Sequence, residues 1–527
     1  MANFDQHNER IASHWARDGA LRSPWQEHTG NPFASDEGSH IGNRLWDVAV
    51  VGGGITGLST ALRLQEAGKR CIVIEAHQIG FGTTGGTTAH INTMLDTPYH
   101  TIESDFGIEN SRLVADAARA GRDLIARNVS AYQIACDFEY KDGVLFAQTD
   151  AEAATLKNIY EGSLRAGVDV VPVSEIPVPL DFRMAINCRM QAQIHPLKYL
   201  QALAQAFEAA GGTIMQHTQV SDSKRHREVY HLETSSGTIQ AANLIYATHI
   251  PPGVNVLHFR CAPYRSYVLG VQLADEAYPA ALAYDMQEPY HYFRTHLLDG
   301  KRYLILGGAD HKTGHGNPEQ SFRELEAYLR KHFDVASIDY RWSAQFFEPA
   351  DGLPYIGKLP GGDEGIYVAT GFGGNGVLFG SFAAVLLSDL ILGIESPCEK
   401  LFSPLRVKPV AAFTNFVKEN ADVVYRFVAD RLTTEKLAEM VELTPDTGAV
   451  VNFENQRIAL YKSSDGALNA LSPVCTHAGC IVAWNNAEKS WDCPCHGGRY
   501  DVAGKVLTGP PRKNLEEIPL DAANSRR

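Results

Sequence analysis

Three glycines, Gly52, Gly54 and Gly57, stand in a G-x-G-x-x-G spacing between two apolar runs, and no other feature restricts the fold of this chain as much. From Trp46 onward, DVAVVGGGITGLSTALRLQEAGKRCIVIEA reads as buried strand, glycine turn, helix and second strand, a single βαβ unit. The first glycine permits the tight turn, the second lets a pyrophosphate approach the backbone, and the third allows the helix to pack close on the sheet. The helix N-terminus then offers N–H groups and the positive end of its dipole to phosphate. Glu75, eighteen residues after Gly57 at the end of the second strand, is placed to accept hydrogen bonds from ribose hydroxyls. A glycine turn alone is often structural; strand, helix, strand and acid together point to a dinucleotide site.

That fingerprint serves FAD and nicotinamide dinucleotides alike, and two further segments favour FAD. Directly after the second strand, GFGTTGGTTAHINT carries Gly82, Gly85 and Gly86 with Thr83, Thr84, Thr87 and Thr88, a run of backbone and hydroxyl donors suited to a long cofactor. Far downstream, IYVATGFGGNGVLFGSFAAVLLSDLI puts Gly373, Gly374, Asn375 and Gly376 at the start of a helix. Such a helix end stabilises negative charge on a reduced flavin ring. The segment 365–393 should therefore return the chain to the nucleotide-binding core.

At this point residues 46–400 resemble the D-amino-acid oxidase superfamily of FAD-dependent oxidoreductases, which includes glycine and sarcosine oxidases. The resemblance rests on VGGGITGLSTALRL with Glu75, TTGGTTAHI, ANLIYATH at 242–249, DGLPYIG at 351–357 and VATGFGGNG. It implies an α/β FAD-binding domain, Rossmann-like and of glutathione-reductase type, interleaved with an α+β substrate domain whose antiparallel sheet covers the flavin. The FAD-binding parts are expected at about 46–100, 190–255 and 345–400.

Nine cysteines are too few for a disulfide scaffold, yet four of them fall within 21 residues near the C-terminus. Cys475-Thr-His477-Ala-Gly-Cys480 is followed, after twelve residues, by Cys493-Pro-Cys495-His496-Gly-Gly. Two boxes of this kind suit a 2Fe-2S centre with two thiolates on one iron and two imidazoles on the other. Structural zinc is the competing reading, although six potential donors exceed the four that zinc takes. The segment resembles a Rieske domain, extending through Trp491, Asp492, Gly497, Tyr500, Asp501 and the GPP turn at 509–511, so a small all-β domain is expected at 441–522. The resemblance implies Cys475, His477, Cys493 and His496 as metal ligands and a Cys480–Cys495 disulfide, as in the higher-potential Rieske proteins. Gly498 stands where those proteins commonly carry Ser, while the Tyr500 hydroxyl is retained, so an intermediate potential is expected.

The remaining segments carry fewer signals. Residues 1–45 form a polar arm with no assigned chemistry, and 401–440 read as an amphipathic helical connector. Apolar residues at 44% and charged residues at 20% describe an ordinary globular chain. The net charge of −14 repels phosphate backbones and anionic membranes, so nucleic acid is not an expected partner. The first residues show no apolar signal core or twin arginine, which points to a cytoplasmic protein. The apolar run at 383–394 is too short to span a bilayer and contains Asp389.

For the substrate side, the amino-acid oxidases of the superfamily commonly hold the substrate carboxylate with an Arg in a segment written F-R-P. Here it reads Phe347-Glu348-Pro349, and a glutamate cannot pair with a carboxylate. An amine or amino-acid-like molecule is the expected substrate, either a cationic amine or one held by another Arg, with His90, Arg265, Arg294 and Glu348 as candidate catalytic or pocket residues. Tyr264, Tyr267 and Tyr292 are expected to pack rather than catalyse, and His195, before a Pro at a helix start, to make a structural contact. The leading functional expectation is a dehydrogenase passing electrons from an amine through FAD and the Rieske centre to an external acceptor. Reversed flow into a flavin reductase or monooxygenase site, and a redox sensor without catalysis, are the alternatives.

Overall fold

The computed structural model describes residues 17–30, 44–406, 443–453 and 456–520. Most of the connector expected at 401–440 lies outside the described residues, as do parts of the N-terminal arm.

The largely apolar strand Leu45–Val51 and the fully apolar Cys71–Ile74 pair in parallel, with the helix Ile55–Glu66 crossing between them. Parallel pairing continues outward to Thr213–Met215 on one side and to Gly237–Tyr246 and Ile366–Thr370 on the other. Strands buried on both faces read as continuous apolar runs, and here α-helices pack on one face while strand and loop residues such as Tyr230, Leu232 and Phe347 pack on the other. The return helix Gly376–Leu392 is apolar all round and packs between Ile55–Glu66 and Ile108–Ala131. A Cβ at Gly121 would lie 2.4 Å from the Leu378 carbonyl oxygen, so glycine sets that close helix crossing.

A second, nine-stranded sheet takes its strands from the intervals between those of the first, in the order Val335–Pro349, Cys261–Leu273, Lys301–Lys312, His291–Leu298, Leu282–Tyr284, Glu139–Ala147, Met184–Gln193 and His90–Ile91, with Val170–Val173 also paired to Met184–Gln193. The body is thus an α/β nucleotide domain interleaved with an α+β domain. The C-terminal part is all-β, with one sheet of three strands over 447–471 and one of four over 483–508. Among the described residues no helix is long and apolar enough to cross a membrane. Asp389, within the return helix, lies 3.7 Å from Arg63.

Part of the arm is built into the body. Pro24–His28 is a short helix capped by Ser23, and Trp25 is fully buried, donating from Nε1 to the Thr87 carbonyl at 2.7 Å. His195 caps the helix Pro196–Ala209, its Nδ1 accepting from the Lys198 N–H at 3.3 Å.

Candidate active site and metal centre

The strand Leu45–Val51 ends at Gly52, whose φ of +112° and position leave no room for a side chain: a Cβ would meet the Ala247 oxygen at 2.5 Å. At Gly57 a Cβ would lie 2.0 Å from the Gly52 oxygen. Gly54 caps the following helix with no side-chain acceptor, so the helix N-terminus is left open to a ligand. Ile55 N–H donates to Thr84 Oγ1 at 3.2 Å. Glu75 accepts from the Gly53 and His77 N–H groups at 2.7 and 2.9 Å. Burial raises its pKa, against the pull of those backbone donors.

A cavity of about 370 Å³ starts at Gly52, Gly54 and Glu75, passes Thr83, Thr84, Thr87 and Thr88, and ends at Gly373, Gly374, Asn375 and Gly376. Gly57 and Gly85 stand behind this wall, where Gly85 packs against the Gly80 oxygen. A long cofactor therefore meets a side-chain-free turn and helix start at one end and a second helix start at the other, which fits FAD. Substituting Gly57 by alanine is expected to push the helix off the turn, and the purified variant should carry less than about a tenth of the wild-type flavin per chain. Flavin released on denaturation, measured by absorbance, checks this.

Opposite the nucleotide domain, Ser266, Val268, Tyr292, Ala344, Gln345 and Phe346 of the second sheet, with Tyr290 just ahead of its strand, wall the cavity, and Asn92 and Asp96 stand at its end. Asp96 accepts from the Gly374 N–H at 2.5 Å, and Asn375 bonds both the Asp96 N–H and Asn92. Burial raises the Asp96 pKa. Apart from Asn375, these polar wall residues were not site candidates in the sequence, and Tyr292, expected only to pack, lines the site with its hydroxyl 2.8 Å from Ser266 Oγ.

The residues singled out for the pocket are placed differently. Arg294 is wholly buried and donates to the carbonyls of Thr88, Ala89 and Ile194 and to His296 Nδ1, fastening segments together rather than facing the cavity. Arg265 turns to the opposite side of its strand, to Ser343 Oγ at 2.7 Å and Glu488 at 3.5 Å. His90 sits behind the wall, its Nδ1 3.1 Å from Thr88 Oγ1 and its ring flanked by Tyr284 and Tyr292. Burial and then Arg294 push its pKa down to about 3, so it stays neutral. Glu348 lines a second cavity of about 240 Å³ with Asp96, Asp105 and Asp351, adjoining the first at Asp96, Phe372, Gly373 and Asn375.

In the C-terminal domain the two Cys-His boxes form facing loops. Cys475 N–H donates to the Cys480 oxygen at 2.8 Å and Cys493 N–H to the Gly498 oxygen at 2.7 Å. Cys480 and Cys495 are joined in a disulfide. Cys475 and Cys493 remain as buried thiols in contact, where Cys493 as hydrogen-bond partner favours thiolate at Cys475 and is itself held protonated. The Tyr500 hydroxyl lies 3.2 Å from Cys475 Sγ. His477 and His496 stack edge to face with centroids 4.9 Å apart. His477 Nε2 is 3.1 Å from the Gly253 carbonyl, leaving Nδ1 buried without a partner, and both ring nitrogens of His496 are likewise unpartnered. Burial lowers the pKa of both imidazoles, His496 to about 3, which keeps them in the neutral, ligating form. Two thiols and two imidazoles with free nitrogens fit a Rieske cluster. Once the disulfide is formed only four donors are left, a number that zinc also accepts, so the count no longer separates the two metals.

Relatives separate them. Residues 47–390 match the FAD dependent oxidoreductase family, and residues 434–519 match the Rieske [2Fe-2S] domain. The chain belongs to the FAD-dependent oxidoreductases and carries a Rieske domain at its end. The Rieske 2Fe-2S iron-sulfur protein YhfW of Bacillus subtilis strain 168 is 32% identical over 478 residues, 90% of this chain and 94% of that one. Gamma-glutamylputrescine oxidoreductase of Escherichia coli strain K12 is 29% identical, over 70% of this chain and 90% of its own. Among solved structures, glycine oxidase from Geobacillus kaustophilus superposes with a TM-score of 0.56 at 20% identity, covering 69% of this chain and 99% of its own, a likeness of fold.

In this FAD-dependent oxidoreductase the two cofactor sites share a residue. The Gln345 carbonyl accepts from Thr83 Oγ1 at 3.1 Å on the cavity wall, while its Nε2 donates to the Gly497 carbonyl in the second cluster loop at 3.0 Å. The Rieske segment 506–512 also contributes Val506, Leu507, Thr508, Gly509, Pro511 and Arg512 to the nucleotide end of the cavity. A buried charge network seals the seam: Glu488 lies 3.3 Å from Arg17 and 3.5 Å from Arg265, and Arg499 lies 2.9 Å from Asp492 and 3.1 Å from Asp18. The arm, read as free of chemistry, thus supplies Arg17 and Asp18 to the seam, and Asp18 reaches the cavity.

Proposed function

We propose that this oxidoreductase oxidises a cationic amine at the carbon beside nitrogen, with FAD taking the electron pair and the Rieske centre passing single electrons to an acceptor outside the chain. The observation that carries the relay is Gln345, whose backbone carbonyl accepts from Thr83 on the wall of the flavin cavity while its side chain donates to the cluster loop. Preference for a cation is supported by the charges at the substrate end. Asp96 stands there, with Glu348 in the adjoining cavity, whereas Arg512, the guanidinium among the described lining residues, lies at the nucleotide end beside Asp222. The name of the Escherichia coli relative, a gamma-glutamylputrescine oxidoreductase, supports an amine as well.

The chain's own residues hold the arrangement. Asn375 ties the return helix to the segment bearing Asp96, and the tyrosine wall excludes water from the sheet side. Amines and amino acids added one at a time without oxygen should include a compound that bleaches the flavin absorbance, and the reduced Rieske signal in electron paramagnetic resonance should follow. A bleached flavin beside a cluster that stays oxidised means that internal relay is wrong.

A further inference from the structure

One buried carboxylate next to the substrate wall has no role in what precedes. In the strand Lys301–Lys312 the register with Cys261–Leu273 jumps from Tyr267 opposite Gly308 to Arg265 opposite His311, so Ala309 and Asp310 together face the single residue Ser266. Two residues against one make a bulge, a device that re-aims side chains beside functional sites. Ala309 takes φ +56°, an uncommon conformation for a residue with a Cβ. Gly307, just before it, leaves room for the Tyr292 ring, whose Cζ would be 2.0 Å from any Cβ there.

The bulge brings Asp310 beside Ser266, Tyr290 and Tyr292, all three of which line the cavity. Both Asp310 carboxylate oxygens are sealed from solvent, and neither has a hydrogen-bond partner among the described residues. The Ser266 hydroxyl and Tyr290 phenol lie near enough to favour the ionised form without completing a bond. Leaving a buried carboxylate unpaired costs stability, and native folds seldom tolerate it without a use. Of its neighbours that reach the cavity, Ser266, Tyr290 and Tyr292 carry hydroxyls, which can turn their protons to Asp310 and their lone pairs to a ligand, and the other is the carboxyl of Asp96.

We propose that Asp310 is a positioning and specificity-determining residue that, through Ser266 and Tyr290, turns hydroxyl oxygens toward the cavity to accept the N–H groups of a substrate ammonium. The inference deepens the amine reading above and rests on it. The groups facing Asp310 are Asp96 from the segment after His90–Ile91, Glu288 and Tyr290 ahead of the strand His291–Leu298, and Tyr292 within that strand. Burial first, then Asp96 and Glu288, push its carboxyl up to about 7 against the help of Ser266 and Tyr290. Ionised Asp310 is thus present above that pH and lost below it.

The test is binding of tert-butylammonium to the oxidised holoenzyme, read as a shift of the flavin absorbance bands. The carbon beside its nitrogen bears no hydrogen, so the probe cannot be oxidised, and tert-butanol is its neutral counterpart. Asp310→Asn should bind the cation about 10–100-fold more weakly, the range for a charge-assisted hydrogen bond, with tert-butanol affinity unchanged. Wild-type affinity for the cation should fall about tenfold per pH unit below the Asp310 pKa, while the variant stays flat. Equal affinity of the two proteins for the cation, including no binding by either, overturns the proposal. If Asp310→Asn does not fold, Ser266→Ala combined with Tyr290→Phe must show the same selective loss, and unchanged cation affinity there overturns it equally. Binding that depends on Asp310 in a protein that bleaches with no amine supports this site and removes the amine-oxidation reading.

Discussion

Replacing Glu488 by alanine is expected to unfasten the Rieske domain from the flavin-binding body at a cost of about 3–5 kcal/mol, the usual result of removing one partner from a buried ionic network. One Glu488 carboxylate accepts from Arg17 and the Leu21 N–H of the arm and from Arg265 and the Ser343 N–H of the body. Its loss leaves two guanidiniums buried with too few acceptors. Differential scanning calorimetry of holoprotein should show a Rieske transition separated from and below that of the body; a single unshifted transition would mean that the network contributes no docking energy. Acid should loosen the same seam. Burial raises the carboxyl pKa values of Asp18 and Asp492, but Arg17 and Arg499 for Asp18, and Arg499 and Arg265 for Asp492, outweigh it, so both lie below the ordinary 3.8. A carboxylate with a lowered folded-state pKa stabilises above its unfolded value and loses that contribution as pH falls through the folded one. The seam is therefore expected to hold at neutral pH and to weaken below the ordinary carboxylate value.

Cys493→Ser is expected to abolish the cluster while leaving the flavin in place. Serine keeps the shape but not the thiolate, and Cys493 is one of the two sulfurs the disulfide leaves free for iron. Substrate should still bleach the flavin without oxygen. Reduction of a one-electron acceptor should fall by more than about 100-fold, beyond the 10–100-fold typical of losing a residue that only supports a ligand. Stopped-flow measurement of both signals separates the two halves of the reaction, and acceptor reduction that survives in the cluster-free variant would exclude the proposed route.

What could be read in the sequence and what could not follow one physical division. The glycine turn, Glu75, the threonine run and the two Cys-His boxes are local patterns: each reports its own backbone geometry or donor set, and the structure puts Gly52, Gly54, Glu75 and the threonines on one cavity and the boxes on facing loops. Arg265 and Arg294 were misread because a strand arginine has two faces to choose from, and the choice is made by partners such as Glu488 and Ile194, which are distant in sequence. Asp310 escaped notice for a related reason. Its aim depends on a two-against-one register with Ser266, and a register belongs to a pair of strands. The arm looked featureless because Arg17 and Asp18 have meaning only beside Glu488 and Arg499, more than 450 residues on.

The cavity wall formed by Val506 to Arg512 ties flavin retention to the docking of the Rieske domain. Those residues follow the flavin-binding body in the chain, and they wall the nucleotide end of a berth whose other walls come from that body. FAD in that berth is thus held in part by the domain with which it is read to trade electrons. Stripped protein should take FAD back only as fast as that seam opens.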